Sequence, residues 1–387
     1  MKISALFLLM FVSLPMFSQT KSPFIKMSFA KDITFVRMDS VHGSQSTVIE
    51  YPKFLAVIEL PFIDTGANRA TDLQEDVAKA DSFLNFLQAE YKKPVKFIFS
   101  SHWHLHSLSG ITPFFKKGAK LVVAETNWAY SLKNGLLSNS DAQTFATQVI
   151  PIHNDTTLLK DTQNPIDILF LDKSYAFKPT QDYLFFYLPK SKTLHASCMC
   201  AMGNIDFKQR TEFIYSDRVS DLDKAIEVRK ISVDHLIKLT AEYDTENRVY
   251  RAPTFTREYF SEYKRRGKPM HTVVKTFTDY DLTFLINGKD SIIHQLLSQK
   301  ISPQIINSAT YACIKQKEYK KAVEWARILN LYQVGELNFI DTMGEAYLMA
   351  GDVRMATYYS QWLTQKDPKN FPDAIKTWEA NRLSVQD

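Results

Sequence analysis

Cysteine is scarce in this chain of 387 residues. Cys198, Cys200 and Cys313 are the only three, an odd number that cannot all pair within one chain, so a disulfide-built scaffold is excluded. Cys198 and Cys200 point the same way on one strand and cannot easily bridge each other. A free thiol in an oxidising compartment calls for a metal or for burial, and Cys198 is the thiol assigned to a metal. Long apolar runs are also lacking. Beyond the amino terminus none approaches the roughly 20 residues that a bilayer-spanning helix needs. Nor does one sign of charge dominate, since Lys and Arg number 47 against 42 Asp and Glu, for a net charge of +5. The one dense basic cluster, Lys264 to Lys268, reads as a solvated helix end, so no nucleic-acid partner is expected. Hydrophobic content of 45 % and charged content of 23 % are those of a globular protein and exclude a disordered or fibrous class.

At the amino terminus, Met1-Lys2 and the apolar stretch Ile3 to Leu14 read as a secretory signal over residues 1–18, too short to span a bilayer. Pro15 breaks the stretch, and Ser18 is a small residue at the cleavage point. No cysteine lies near it, so a lipoprotein anchor is not supported. The expected location is periplasmic or secreted.

The chemistry is concentrated in Val95 to Gly110. Val95 to Phe99 reads as a short buried strand, and the chain then presents His102, His104 and His106 on alternate positions. Two histidines one residue apart at a strand end can aim both imidazoles at one point, a metal-ligand geometry. The same alternation is also the polar face of an extended segment. Two further stretches belong beside it. Phe54 to Leu60 is an apolar strand running into Pro61-Phe62-Ile63-Asp64-Thr65-Gly66. Tyr183 to Pro189 is another, leading to Thr193-Leu194-His195-Ala196-Ser197-Cys198-Met199-Cys200.

Together these three stretches resemble the metallo-β-lactamase superfamily, the last being similar to the cysteine-bearing strand pair of its class B1 enzymes. The resemblance covers residues 28–245. It implies an αββα sandwich and a zinc site, one ion rather than two. Against the family motif H-x-H-x-D-H, His102 and His104 match the two leading histidines. His106 stands at the aspartate and Ser107 at the last histidine. Pro179 falls where a further histidine ligand is expected, and proline offers no donor. Cys198 falls at the thiolate position, and Glu242 is the donor nearest to where the final histidine is missing. The implied metal set is therefore His102, His104, His106, Cys198 and Glu242, with Asp64 or Asp182 supporting the ligands. Simpler readings stand beside these: Glu242 as a surface carboxylate, Asp64 and Asp182 as turn or capping residues, and His195 and Cys200 as packing positions. No catalytic residue can be assigned.

The predicted fold class is α+β, with the sandwich followed by a helical repeat-like domain. Strands are predicted at Ile33 to Met38, Ser46 to Tyr51, Phe54 to Leu60, Ala119 to Ala124, Thr157 to Leu159, Ile166 to Phe170, Tyr183 to Tyr187 and Val233 to Leu239. Helices are predicted at Asp72 to Tyr91, Gly110 to Phe115, Asn127 to Asn134, Asp141 to Val149 and Leu222 to Lys230. Residues 246–300 read as a connecting region, with helices at Arg257 to Arg266 and Ser291 to Leu297 and strands at Thr272 to Thr276 and Leu282 to Asn287. Over residues 301–387 an offset of thirty-four residues pairs Ala322 with Ala356, Trp325 with Tyr359 and Leu329 with Leu363. Gly344, Tyr347, Ala356 and Pro368 fall at the positions of a tetratricopeptide repeat.

Two functions follow. One is an exported hydrolase with an incomplete, altered metal site, in which a zinc-bound water attacks an ester, lactone or amide of a small-molecule substrate. The other is an inactive binding or scaffold protein that meets a protein partner, or a second copy, through its helical repeats.

Overall fold

The computed structural model describes residues 23–38, 45–60, 69–103, 108–133, 135–210, 212–240, 242–244, 249–251 and 254–379. The segment expected to be a signal, residues 1–18, and Asp64, His104 and His106 therefore lie outside the described residues, as does the side chain of Glu242.

One sheet takes its seven strands in chain order: β1 (Phe24–Ala30), β2 (Ile33–Met38), β3 (Ser46–Glu50), β4 (Leu55–Ile58), β5 (Val95–Phe99), β6 (Lys120–Ala124) and β7 (Val149–Ile152). The first four pair antiparallel, and β4 through β7 pair parallel. Parallel neighbours need crossovers. These are supplied by α1 (Arg69–Tyr91), α2 (Ile111–Lys116), α3 (Glu125–Lys133) and α4 (Asn139–Phe145).

The second sheet has the order β16-β13-β11-β10-β9-β8. Its strands are β8 (Thr156–Leu158), β9 (Ile166–Leu171), β10 (Tyr183–Leu188), β11 (Thr193–Ser197), β13 (His235–Lys238) and β16 (Thr254–Thr256). Only β11 and β13 pair parallel here, and α5 (Arg218–Arg229) lies in the chain between them. Two small pairs complete the strands, β12 (Phe213–Tyr215) with β17 (Gly267–Pro269), and β14 (Glu242–Asp244) with β15 (Val249–Arg251).

The period-2 alternation of a strand explains the layering. In β4, Leu55 and Val57 join the core under α1 and α2, whereas Ala56 and Ile58 turn to the opposite sheet. In β10, Leu184 and Phe186 meet Ala56 and Ile58 in that middle core, while Tyr183 and Phe185 face α5. Strands covered on both sides are apolar throughout, and Leu55 to Ile58 are all buried. The architecture is thus an αββα sandwich followed by helices.

The helices are α6 (Arg257–Arg266), α7 (Met270–Thr278), α8 (Leu282–Asn287), α9 (Lys289–Ser298), α10 (Pro303–Lys315), α11 (Tyr319–Tyr332), α12 (Leu337–Met349) and α13 (Val353–Lys366). The strands expected at Thr272 to Thr276 and Leu282 to Asn287 are corrected: both stretches are helical. Their β-branched and aromatic residues favour strand, but Val274, Phe277 and Leu285 are drawn into the helical core. In addition, the Asp281 carboxylate caps α8 by accepting from the backbone N–H groups of Thr283 and Phe284. Residues 254–298 are shared between two cores. Phe255, Phe260 and Tyr263 pack with β11, whereas Val274 through Leu296 pack with α10 to α13.

Candidate functional site

The site is assembled where β4, β5, β10 and β11 end or begin. After β4 the chain bends at Glu59, a buried carboxylate at φ 60° whose backbone N–H donates to the Phe99 carbonyl at 2.9 Å. Its Oε1 accepts from the Ser101 backbone N–H at 3.1 Å. The end of β5 is thereby tied to the end of β4. Ser101 Oγ lies 2.6 Å from His102 Nδ1, and the Ser101 carbonyl accepts from the Leu184 N–H at 2.9 Å. Those bonds hold His102 fully buried, with its ring stacked on Tyr183 at a centroid separation of 5.0 Å and an interplanar angle of 26°.

Tyr183, the first residue of β10, joins the two halves of the cluster. Its hydroxyl accepts from the Cys198 backbone N–H at 3.0 Å and donates to the Ala196 carbonyl at 3.3 Å. Burial, then the charges of Cys198 and Glu59, push the phenol well above its ordinary range. The chain reverses at Ser197, φ 48°, as it leaves β11. Burial, followed by the nearby Glu59 carboxylate, pushes the Cys198 thiol up to about 12, with Arg218 opposing. His102 and Cys198, distant in sequence, are thus brought to one tyrosine.

The other sequence candidates are placed differently. The Asp182 carboxylate accepts from Thr126 Oγ1 at 2.6 Å and its carbonyl from Asn127 Nδ2 at 3.1 Å, so it anchors β10 to α3. His195 is fully buried on the middle-core side of β11, and neither ring nitrogen has a hydrogen-bond partner. Burial holds its pKa down to about 3. Cys200 is buried too, its thiol pushed up to about 12. Sequence reasoning missed Glu59, Ser101 and Tyr183 as site residues. Glu59 carried a readable signal, since a carboxylate ending the apolar run Phe54 to Leu60 has to be paired when buried. Tyr183 carried none, because it reads as one more aromatic in a strand.

The fold class is α+β, a sandwich of two sheets with helices on both outer faces and a further helical region. No family model matches the chain, and no curated protein matches it. Three solved structures with similarity to it are metallo-β-lactamases. The enzyme from Pontibacter korlensis is 15 % identical with a TM-score of 0.41, the match covering 62 % of this chain and 96 % of that one. FIM-1 from Pseudomonas aeruginosa, in its mono-zinc form, is 14 % identical with a TM-score of 0.42, covering 63 % and 94 %. The enzyme from Hirschia baltica is 11 % identical with a TM-score of 0.40, covering 64 % and 99 %.

Zinc, which the resemblance implies, takes about four donors, three of them from protein in a catalytic site. Among the described residues no three His, Cys, Asp or Glu side chains converge as a ligand set. Of the five predicted ligands only His102 and Cys198 have described side chains, fewer than the three protein donors of a catalytic zinc site. The described donors by themselves therefore do not fit a zinc ion. Among the described residues, no helix is long and apolar enough to cross a membrane.

Proposed function

We propose that this is an exported protein on a hydrolase-like fold, whose strand-end site has become a packed polar cluster, and that it works by binding a protein partner through its helical region. The observation that carries this reading is Tyr183. Its phenol stacks on the His102 ring and accepts from the Cys198 backbone N–H, so a side chain that is not among the usual zinc ligands packs where the two candidate residues meet. The tetratricopeptide-like offset supports the helical region as the working surface, because Ala322, Ala356, Leu329 and Leu363 are all fully buried at equivalent positions.

A second reading is favoured by the meeting of His102 and Cys198 at one residue. In it, His102, His104 and Cys198, with His106 and Glu242, hold one zinc ion, and the protein hydrolyses an ester, lactone or amide. One experiment separates the two. Zinc is measured in purified full-length protein and in a His102→Ala/His104→Ala variant, beside turnover of an ester, lactone and amide panel with and without chelator. The binding reading expects zinc no higher than in the variant and no chelator-sensitive turnover. Stoichiometric zinc lost in the variant, together with chelator-sensitive hydrolysis, overturns it in favour of the second.

A further inference from the structure

Away from the strand-end cluster, a cleft of about 620 Å³ opens where the sandwich meets the helices. Its volume lies within the roughly 300–1,000 Å³ of small-ligand sites, which occur preferentially at domain junctions. The two sides differ in chemistry. Ile214 and Val273 supply partly exposed apolar surface, with the largely buried Ile301 and Ile305 beneath it. Arg210, Lys268 and Lys300 supply three cations, against the single carboxylate Glu212.

Local structure fixes these groups. Ile214 and Lys268 are register partners in the parallel pair β12/β17, so they stand on one face, and the strand alternation sets Glu212 on that face as well. Lys268 Nζ lies 3.4 Å from Glu212 Oε2. At the far wall, the chain leaving α9 turns at Lys300, φ 52°. The Lys300 N–H donates to the Leu297 carbonyl and the Ile301 N–H to the Leu296 carbonyl, both at 3.0 Å, a closure that turns Ile301 inward and leaves Lys300 at the rim. Ser302 and Ile305, at the start of the 13-residue α10, line the same wall, which brings the positive end of that helix to the cleft. Among the described residues, neither Arg210 nor Lys300 has a carboxylate partner.

We infer that this cleft binds an anionic amphiphile, an acyl chain against the isoleucine and valine side chains and a carboxylate head among Lys268, Lys300 and Arg210. Charge complementarity selects the head, because the rim carries more positive than negative side chains. The apolar patch around Ile214 and Val273 selects the tail, whose transfer from water contributes about 0.8 kcal/mol per buried methylene. The site is independent of whether the strand-end cluster turns anything over.

The test is calorimetric titration of full-length protein with dodecanoate below its micelle concentration, with dodecanol and acetate as tail-only and head-only probes. One saturable site is expected, with acetate giving no heat and dodecanol binding at least tenfold more weakly. Lys268→Gln/Lys300→Gln, at exposed positions, should weaken dodecanoate about tenfold, near 1.4 kcal/mol. Glu212→Gln should tighten it about threefold. The absence of saturable binding overturns the assignment, as does equal affinity in the double variant. Acetate matching dodecanoate would reduce the cleft to a plain anion site and equally overturn it.

Discussion

His195 is an imidazole sealed into the middle of the sandwich with both nitrogens unpartnered. Its pKa, about 3 in the fold, is 6.5 when unperturbed. As pH falls through 6.5 the unfolded chain takes up a proton that the native state refuses. Stability therefore declines by up to about 1.4 kcal/mol per pH unit and levels off near pH 3. His195→Leu should remove that slope and raise stability at pH 5 by about 1 to 3 kcal/mol, because an unsatisfied buried polar group is lost. Urea unfolding of both proteins at pH 7, 5.5 and 4 checks this, and parallel pH profiles would refute it. This residue was legible as a packing position, from its place inside an apolar strand. The Glu59, Ser101 and Tyr183 constellation was not, because hydrogen bonds that join four strand ends leave no spacing pattern along the chain. His102 and Cys198 were legible by type, but the tyrosine between them becomes visible only once β10 is aligned with β11.

Among the elements, the strands of the sandwich were the most readable, since apolar runs bounded by Pro, Gly and charged residues mark buried parallel strands closely. β1 went unread because Lys26 and Ser28 interrupt its apolar residues. The errors at α7 and α8 share one cause, a short amphipathic stretch rich in Val, Thr and Phe whose docking partner lies elsewhere in the chain. In α12, Gly344 allows a close approach. A Cβ at that position would run into the ring of Trp378, which comes from the helical turn over residues 374–379 and donates its Nε1–H to Asp341 at 2.9 Å. Gly344→Ala should therefore cost about 1 to 3 kcal/mol by overpacking and loosen that final turn. Limited proteolysis is the measurement. Faster cleavage within residues 367–379 is expected, and unchanged cleavage would show that the ring can shift aside without penalty.

At the scale of the molecule, the sandwich and the helices have separate cores. Asp217, next to α5, joins them: its Oδ1 accepts from the His271 backbone N–H at 2.8 Å and lies 2.6 Å from His271 Nδ1. The Phe177 ring stacks on the same imidazole at 5.3 Å. Asp217→Ala removes both bonds and should destabilise the joint by about 1 to 3 kcal/mol. Hydrogen exchange read by mass spectrometry should then show faster exchange in α7 and α10 while β4, β5 and β10 are unchanged. Equal acceleration in both parts would instead mean that the chain opens as one unit. The change from strands to helices was legible from composition, but the joint was not, because Asp217 and His271 are ordinary polar residues until the two cores meet.

Cys198, Cys200 and Cys313 are all unbridged, and their thiols are pushed up to about 12, about 12 and about 11 by burial. At pH 7 only about one sulfur in 10⁴ to 10⁵ is in the nucleophilic form. Peroxide or disulfide reagents thus find little to attack while the molecule is closed. Oxidation of Cys200 and Cys313, which are buried, is paced by how often the interior around them opens, and their labelling rate serves as a clock for that opening.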